Sequence, residues 1–355
     1  MGPQHPSTHG VLRLKVSVDN ELVLKIEPVV GYLHRGMEKL WESLTYTQVV
    51  PMTDRLDYIA AVSNNLAYIL AVEKLMGLEV PKRAQYIRAI LAEIQRIASH
   101  LAWLGFMAND IGAISVLLFG FEYREDFLDI LETYAGGRLT VHGLRIGGVP
   151  YDLDEAIIAR IRKSLDDLPK KIKDIETLLN ENRIWRHRTQ GVGLISAADA
   201  MDFGLTGPAL RASGVAWDIR KDIPYSSYED FEFDVPILHG GDVYDRYLLR
   251  LEEIRQSTRI IRQALDTLPA GEITAKVPRV LKIPAGEVFH SIEAPKGELG
   301  FYVRSNGTDK PERVKMKSPS FINLQSLPLM CRGNLFSDIV GILGSLDIVL
   351  GEIDK

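Results

Sequence analysis

The chain has 355 residues, 46% hydrophobic and 25% charged, with a formal net charge of −5. That is an ordinary globular composition, long enough for a large core or two domains, and without a basic excess nucleic acid is not a natural partner. The single cysteine, Cys331, excludes an internal disulfide framework, and it equally excludes an iron–sulfur cluster or structural zinc held by this chain's own thiolates.

The N-terminal region, residues 1–33, opens on Gly2-Pro-Gln-His-Pro-Ser-Thr-His-Gly10. Proline fixes φ and pushes the preceding residue out of the helical region, so His5 and His9 sit on a stiff, non-helical loop. Such a loop can hold imidazoles against a ligand, although two solvated turn histidines would satisfy the same spacing. Residues 11–26 alternate on either side of Asp19-Asn20 and predict a β-hairpin. From about residue 34 the period becomes helical. Segments 55–76 and 120–135 predict helices, and Ile87, Leu91, Ile94, Ala98 and Leu101 form an apolar stripe on another, with Pro81 in its first turn. Long helices are expected over 154–180 and 242–268. Residues 270–330, rich in Pro and Gly, predict loops and short strands, and a last helix is expected over 335–350. The sum is an α+β fold, mainly α, in one compact domain: a hairpin region (1–33), a central helical bundle (34–269), and a loop and short-strand region with a C-terminal helix (270–355). No apolar run approaches the roughly 20 residues of a membrane span.

Three places are candidates for chemistry. Asp54-Arg55-Leu56-Asp57-Tyr58 heads a predicted helix, where acidic residues complement the macrodipole and a tyrosine ordinarily packs in a core or an interface. Asp110 interrupts the apolar stretch from Leu101 to Phe121; it is either part of an Asn-Asp turn or a buried carboxylate able to hold a proton. Arg138, His142 and Arg145 precede Gly147-Gly148, and they either cap a helix or face a negative cofactor in a neighbouring subunit. No dinucleotide or Walker fingerprint is present, so NAD would be bound elsewhere.

The order and wording of these segments carry a resemblance. Gly2–Gly10 is followed by Gly31-Tyr-Leu-His-Arg-Gly-Met-Glu-Lys, Asp54-Arg-Leu-Asp-Tyr, Ala71-Val-Glu-Lys-Leu, Arg83-Ala-Gln-Tyr-Ile-Arg, Arg145-Ile-Gly-Gly-Val, Leu210-Arg-Ala-Ser-Gly-Val, Pro319-Ser-Phe-Ile-Asn-Leu-Gln-Ser-Leu and Ser345-Leu-Asp. Over essentially its whole length the chain resembles the family of hydrogenase-like, quinone-site subunits of complex I-type NADH-quinone oxidoreductases.

The resemblance implies a nickel–iron hydrogenase large-subunit-like fold and a quinone site. His9 and Tyr58 would flank the quinone headgroup, menaquinone or ubiquinone, and Asp110 would pair with the histidine. Arg55, Arg138, Thr140 and His142 would lie near the terminal cluster of the adjacent iron–sulfur small subunit, and His5 would shape its loop. The other expected partners are further peripheral-arm subunits and the membrane-arm subunit of the quinone channel. The location would be peripheral, on the cytoplasmic side of a prokaryotic cell membrane, and the chain would not be active alone. A scaffold subunit of a related ferredoxin- or coenzyme-driven complex, without its own quinone chemistry, is the alternative; retention of both His9 and Tyr58 speaks against it.

Departures also carry expectations. At the positions where hydrogenases carry metal-binding thiolates, this chain has Asp57 with Ala60 and Val349 with Glu352, which excludes nickel. Thr140 stands where many relatives have a histidine. It cannot titrate, which points to a cluster of low, weakly pH-dependent potential suited to menaquinone, unless His142 two residues on takes its place. The region near 270–300 is shorter than in many relatives, and the family's common N-terminal extension is missing.

Overall fold

The computed structural model describes residues 1–355. The predicted hairpin forms as β1 (Arg13–Asp19) and β2 (Leu22–Val29), antiparallel from Arg13–Val29 to Asp19–Leu22. Asn20 makes the turn at φ 53°, a left-handed position that asparagine tolerates. The inner face buries Leu14, Val23 and Ile26, the last two brought to one side by a register shift opposite Ser17 and Val18. The hairpin's outer edge is covered by the far end of the chain: Val23 N–H donates to Asn334 O at 2.9 Å and Gly333 N–H to Val23 O at 2.8 Å.

Two short helices follow, α1 (Met37–Trp41) and α2 (Tyr46–Thr53), the second closed by a Thr45–Gln48 capping box. The helix expected from residue 55 begins later, as α3 (Ala61–Met76). Asp57 Oδ1 accepts from Ile59 N–H at 3.1 Å, and this local turn competes with the helix. Asp54 therefore ends α2, and Tyr58 sits on a turn.

The central helix is α4 (Lys82–Asp110), with Pro81 at its N-cap, just ahead of the first turn in which it is expected, and Asp110 is its last residue. Its predicted stripe is fully buried, and so is its polar face, with Arg88, Glu93, Arg96 and His100. Charges buried this way need partners. Glu93 meets Arg96 at 3.1 Å and Arg220 at 3.2 Å and accepts from Tyr228 and Ser257, both at 2.6 Å. Burial alone would raise the Glu93 pKa, but the two guanidiniums hold it at about 2.

Against α4 pack α5 (Ile114–Ala135) and the long α11 (Val243–Asp266); between them in sequence come α6 (Glu155–Asn180), which packs on α5 and α11, and the short α7 (Arg183–Thr189), α8 (Ala197–Asp202), α9 (Gly207–Arg211) and α10 (Ile219–Asp222). Asp154 and Asp242 cap α6 and α11 by accepting from backbone N–H groups. The second sheet is β3 (Gly286–Ala294), β4 (Gly297–Ser305) and β5 (Pro311–Lys317), antiparallel in that order. The last segment contains α12 (Pro319–Leu324), α13 (Leu327–Cys331), α14 (Ile339–Ser345) and α15 (Leu350–Ile353). The single helix expected over 335–350 is thus broken. Leu346 and Asp347 N–H groups bond three residues back, and Asp347 turns left-handed at φ 55°. That reversal brings residues 349–352 against the Asp57 turn.

Candidate functional site

The N-terminal loop is built from its own side chains. A three-residue 3-10 turn covers Pro6–Thr8; Thr8 Oγ1 donates to His5 O at 2.7 Å, and Ser7 N–H donates to His5 Nδ1 at 3.3 Å. His5 therefore shapes the loop. His9 ends the turn in the left-handed region at φ 54°, its N–H on Pro6 O, and this swings its imidazole to a cavity edge.

That cavity, about 210 Å³, gathers His9, Tyr58 and Asp110 from three distant parts of the sequence. Trp103, Phe106 and Met107 of α4 supply much of its apolar wall, and Ile348 and Val349 supply more. Its polar wall also includes Arg124 and Asp347, which sequence reasoning missed as site residues. The segment Ser345-Leu-Asp347 is among those that carry the resemblance; only its left-handed turn, a tertiary feature, aims it here.

His9 keeps some of its surface open to solvent, but protein crowds its ring. This desolvation, with Lys296's charge second, lowers its pKa, so the neutral imidazole predominates at neutral pH. Asp110 meets the loop through Ser7 rather than His9: its Oδ1 accepts from Ser7 Oγ at 3.4 Å. Burial raises the Asp110 carboxyl, against the opposing pull of the Ser7 hydroxyl and the His5 charge. Burial also raises Tyr58, followed by the charge of Asp57, with Lys296 and Arg35 opposing.

Behind the Tyr58 turn lies a buried charge set. Lys296, in the β3–β4 turn, places Nζ 2.9 Å from Asp57 Oδ2 and 3.6 Å from Asp347 Oδ2. Glu352 is buried beside them and accepts from Ser320 N–H at 2.9 Å. The backbones here are in close approach: a Cβ on Gly351 would lie 2.5 Å from Leu56 O. Asp57 thus pairs with an ammonium group, and Glu352 adds its charge to the same field. No group of three or more His, Cys, Asp or Glu side chains is arranged to hold a metal ion.

The four residues expected near a partner's cluster do not form one group. Arg138 is tied to Glu125, Asp129 and Glu132, all on α5. Arg55, His142 and Arg145 share one field, the two arginines adding to burial in lowering the His142 pKa. His142 lines a surface hollow of about 310 Å³ with Arg145, Val50 and Pro51, and Thr140 is half-buried nearby in sequence. The Gly147-Gly148 pair is structural. A Cβ on Gly148 would meet Ile273 O at 2.1 Å, and Glu73 and Arg88 bind the backbone of this turn. A larger open groove of about 470 Å³, lined by Lys74, Arg88, Ser226 and His290, contains none of the sequence candidates.

A helical bundle carrying two small antiparallel sheets, hydrogenase large-subunit-like in class, with a cavity where titratable groups meet aromatic ones, defines a component of a redox complex. The chain matches the family described as the respiratory-chain NADH dehydrogenase 49 Kd subunit over residues 110–282 and 276–355. The D 2 subunit of NADH-quinone oxidoreductase from Solibacter usitatus (strain Ellin6076) is 53% identical over 355 residues, covering 100% of this chain and 96% of that protein. The D subunit from Geotalea uraniireducens (strain Rf4) is 50% identical over 380 positions, covering 100% and 97%. The D subunit from Dehalococcoides mccartyi (strain ATCC BAA-2266 / KCTC 15142 / 195) is 52% identical over 356 positions, covering 100% and 97%. The chain belongs to this family, the D subunits of NADH-quinone oxidoreductases, and is one component of a multi-subunit enzyme. No helix is long and apolar enough to cross a membrane.

Proposed function

We propose that the cavity receives the quinone headgroup, with His9 and Tyr58 hydrogen-bonding its two carbonyls. The observation that carries this is the convergence of His9, Tyr58 and Asp110 on one mostly apolar cavity of about 210 Å³. A dry cavity of about 150 Å³ holds benzene, so this one suits a substituted ring. The chain of a quinone would leave past Phe106, which lines the cavity and is 45% exposed, toward exposed Ile114 and Leu118.

Reduction to quinol takes two electrons, supplied by the iron–sulfur cluster of the adjacent small subunit, and two protons. The Tyr58 hydroxyl donates to one carbonyl and gives up its proton as negative charge builds there. The neutral His9 ring N–H donates to the other and stabilises the same charge. Asp110, its carboxyl raised by burial, anchors the loop through Ser7 and responds to the charge change. The remaining partners are further peripheral-arm subunits and a membrane-arm subunit at the quinone channel, with the assembly on the cytoplasmic face of a prokaryotic membrane.

The test is Tyr58→Phe and His9→Ala in the assembled complex. Each should lower quinone reductase activity by about 100-fold while assembly is retained. Near-wild-type turnover in both would remove the site.

A further inference from the structure

The buried charge set beside the cavity is unbalanced. Asp57, Asp347 and Glu352 face one ammonium group, that of Lys296, and all four residues are buried. The other cation near Asp347 is Arg250, buried against Trp103, and Arg250 also faces Glu253. Surplus buried charge costs several kcal/mol per ion, so these carboxyls hold protons to higher pH than exposed ones do. Burial raises Glu352 to about 7 and Asp347 to about 6, against the pull of Lys296.

Only Asp347 of the three lines the cavity. It is 7% exposed, and its Oδ2 makes no hydrogen bond: Lys296 Nζ, at 3.6 Å, is an ionic neighbour beyond hydrogen-bonding reach. Its left-handed backbone is fixed from below. Asp347 N–H donates to Gly344 O at 3.1 Å, and Trp103 Nε1–H donates to the same oxygen at 2.7 Å. A non-glycine residue held at φ 55° in a cavity wall, with an unpartnered carboxyl oxygen, is a strained and specific placement.

The quinone reaction leaves an unfilled role for such a group. Two O–H bonds must form, Tyr58 supplies one proton, and a neutral imidazole without a carboxylate partner is a hydrogen-bond donor rather than an acid.

We propose that Asp347 is a second proton donor to the reduced quinone, with Lys296 positioned to hold the carboxylate that remains. This rests on the cavity being the quinone site. As two electrons arrive from the adjacent iron–sulfur subunit, the second carbonyl oxygen takes the Asp347 carboxyl proton. That O–H bond breaks, its electron pair stays on the carboxylate, and the Lys296 ammonium offsets the new charge. Water at the cavity mouth returns the proton after quinol leaves.

The test is a pH profile of quinone reduction by the assembled complex, using a short-chain quinone. In the wild type kcat falls as pH rises through the Asp347 titration. Asp347→Asn should lower kcat by about 100-fold, change KM by no more than about twofold, and remove that decline. Asp347→Glu should restore the decline with a displaced midpoint. An Asn variant with wild-type kcat, or one lowered equally at every pH with the wild-type profile, overturns the proposal. Should the Asn variant not assemble, the Glu variant decides, and a midpoint identical to wild type overturns it. His9→Ala and Tyr58→Phe run alongside: if both are unimpaired the quinone site itself fails, and if both fall while Asp347→Asn does not, only this proposal fails.

Discussion

His142 Nδ1 lies 3.0 Å from Asp54 Oδ2, a partly exposed imidazole against a carboxylate with no exposed surface. Asp54 Oδ1 accepts from Asn65 Nδ2, while Oδ2 has no aligned hydrogen-bond donor, so the His142 contact is close in distance but poor in angle. Burial pushes Asp54 up to about 7, with Asn65, Arg55 and Arg145 opposing; burial and the two arginines move His142 down. The Asp54 titration is thereby drawn to neutrality and the His142 titration below it, on the face we assign to the neighbouring cluster.

This bears on the substitution of Thr140. A group that gains proton affinity when a nearby cluster is reduced makes the potential fall with pH, by at most about 60 mV per unit for one proton per electron. We expect a falling potential across the neutral range, and His142→Ala should flatten it. An EPR redox titration of the partner's terminal cluster at several pH values checks this; a flat wild-type profile would return the explanation to Thr140 alone.

Asp54 also predicts a stability effect. Its folded pKa is raised from 3.8 to about 7, so the folded state favours the neutral carboxyl. The contribution is full below the unfolded pKa and is lost as pH rises through about 7, an effect on the order of a few kcal/mol. Asp54→Asn cannot ionise and should lose less thermal stability between mildly acidic and alkaline buffer than the wild type does. Parallel melting curves for the two would count against a buried, proton-holding Asp54.

Arg88 and Glu73 form a buried bidentate pair at 2.9 and 2.6 Å, and both also bind the 145–148 turn. Arg88→Met should destabilise the fold by about 3–5 kcal/mol, because it strands the Glu73 carboxylate. Adding Glu73→Leu should recover much of that loss. Denaturant unfolding of the three proteins measures it.

Gly351 carries no positive φ, yet it cannot carry a side chain without displacing the Leu56 carbonyl. Gly351→Ala should shift the Tyr58 turn relative to Val349 and lower quinone reduction by about 100-fold with far-UV circular dichroism unchanged. Full activity would mean the two segments slide freely.

Ile114 and Leu118 are 61% and 65% exposed on α5, and Phe106 of α4 is 45% exposed. Apolar surface of this kind marks an interface. Replacing Ile114 and Leu118 by serine should leave the chain folded but reduce its co-purification with the other subunits. Undiminished recovery of the complex would place the interface elsewhere.

Local signals were legible where local physics decided the outcome. The long helices expected over 154–180 and 242–268 form as α6 and α11 to within a residue or two, with Asp154 and Asp242 as their caps, and Asp-Asn located the hairpin turn. The C-terminal run misled because Ile342, Leu343 and Leu346 are buried in tertiary contacts, and an apolar stretch then resembles a continuous helix whatever its backbone does. Asp110 was legible as an interruption of apolar sequence. Its partner Ser7 was not, because that contact spans 103 positions. Lys296 gave no signal at all: it lies in a β-turn, and only the fold turns its side chain inward to Asp57.

Distant parts of the sequence are sewn together around the cavity. Gly31 and Leu33 N–H groups both bind the Asp354 carboxylate, at 2.7 and 2.9 Å, and Arg35 binds Gly351 O at 2.7 Å. His9 and Asp347 come from opposite ends of the chain, so the cavity is complete only when both ends are in place. A chain cut short before Asp347 would lose the clasp that closes the pocket, and with it Ile348, Leu350 and Ile353 from the shared core.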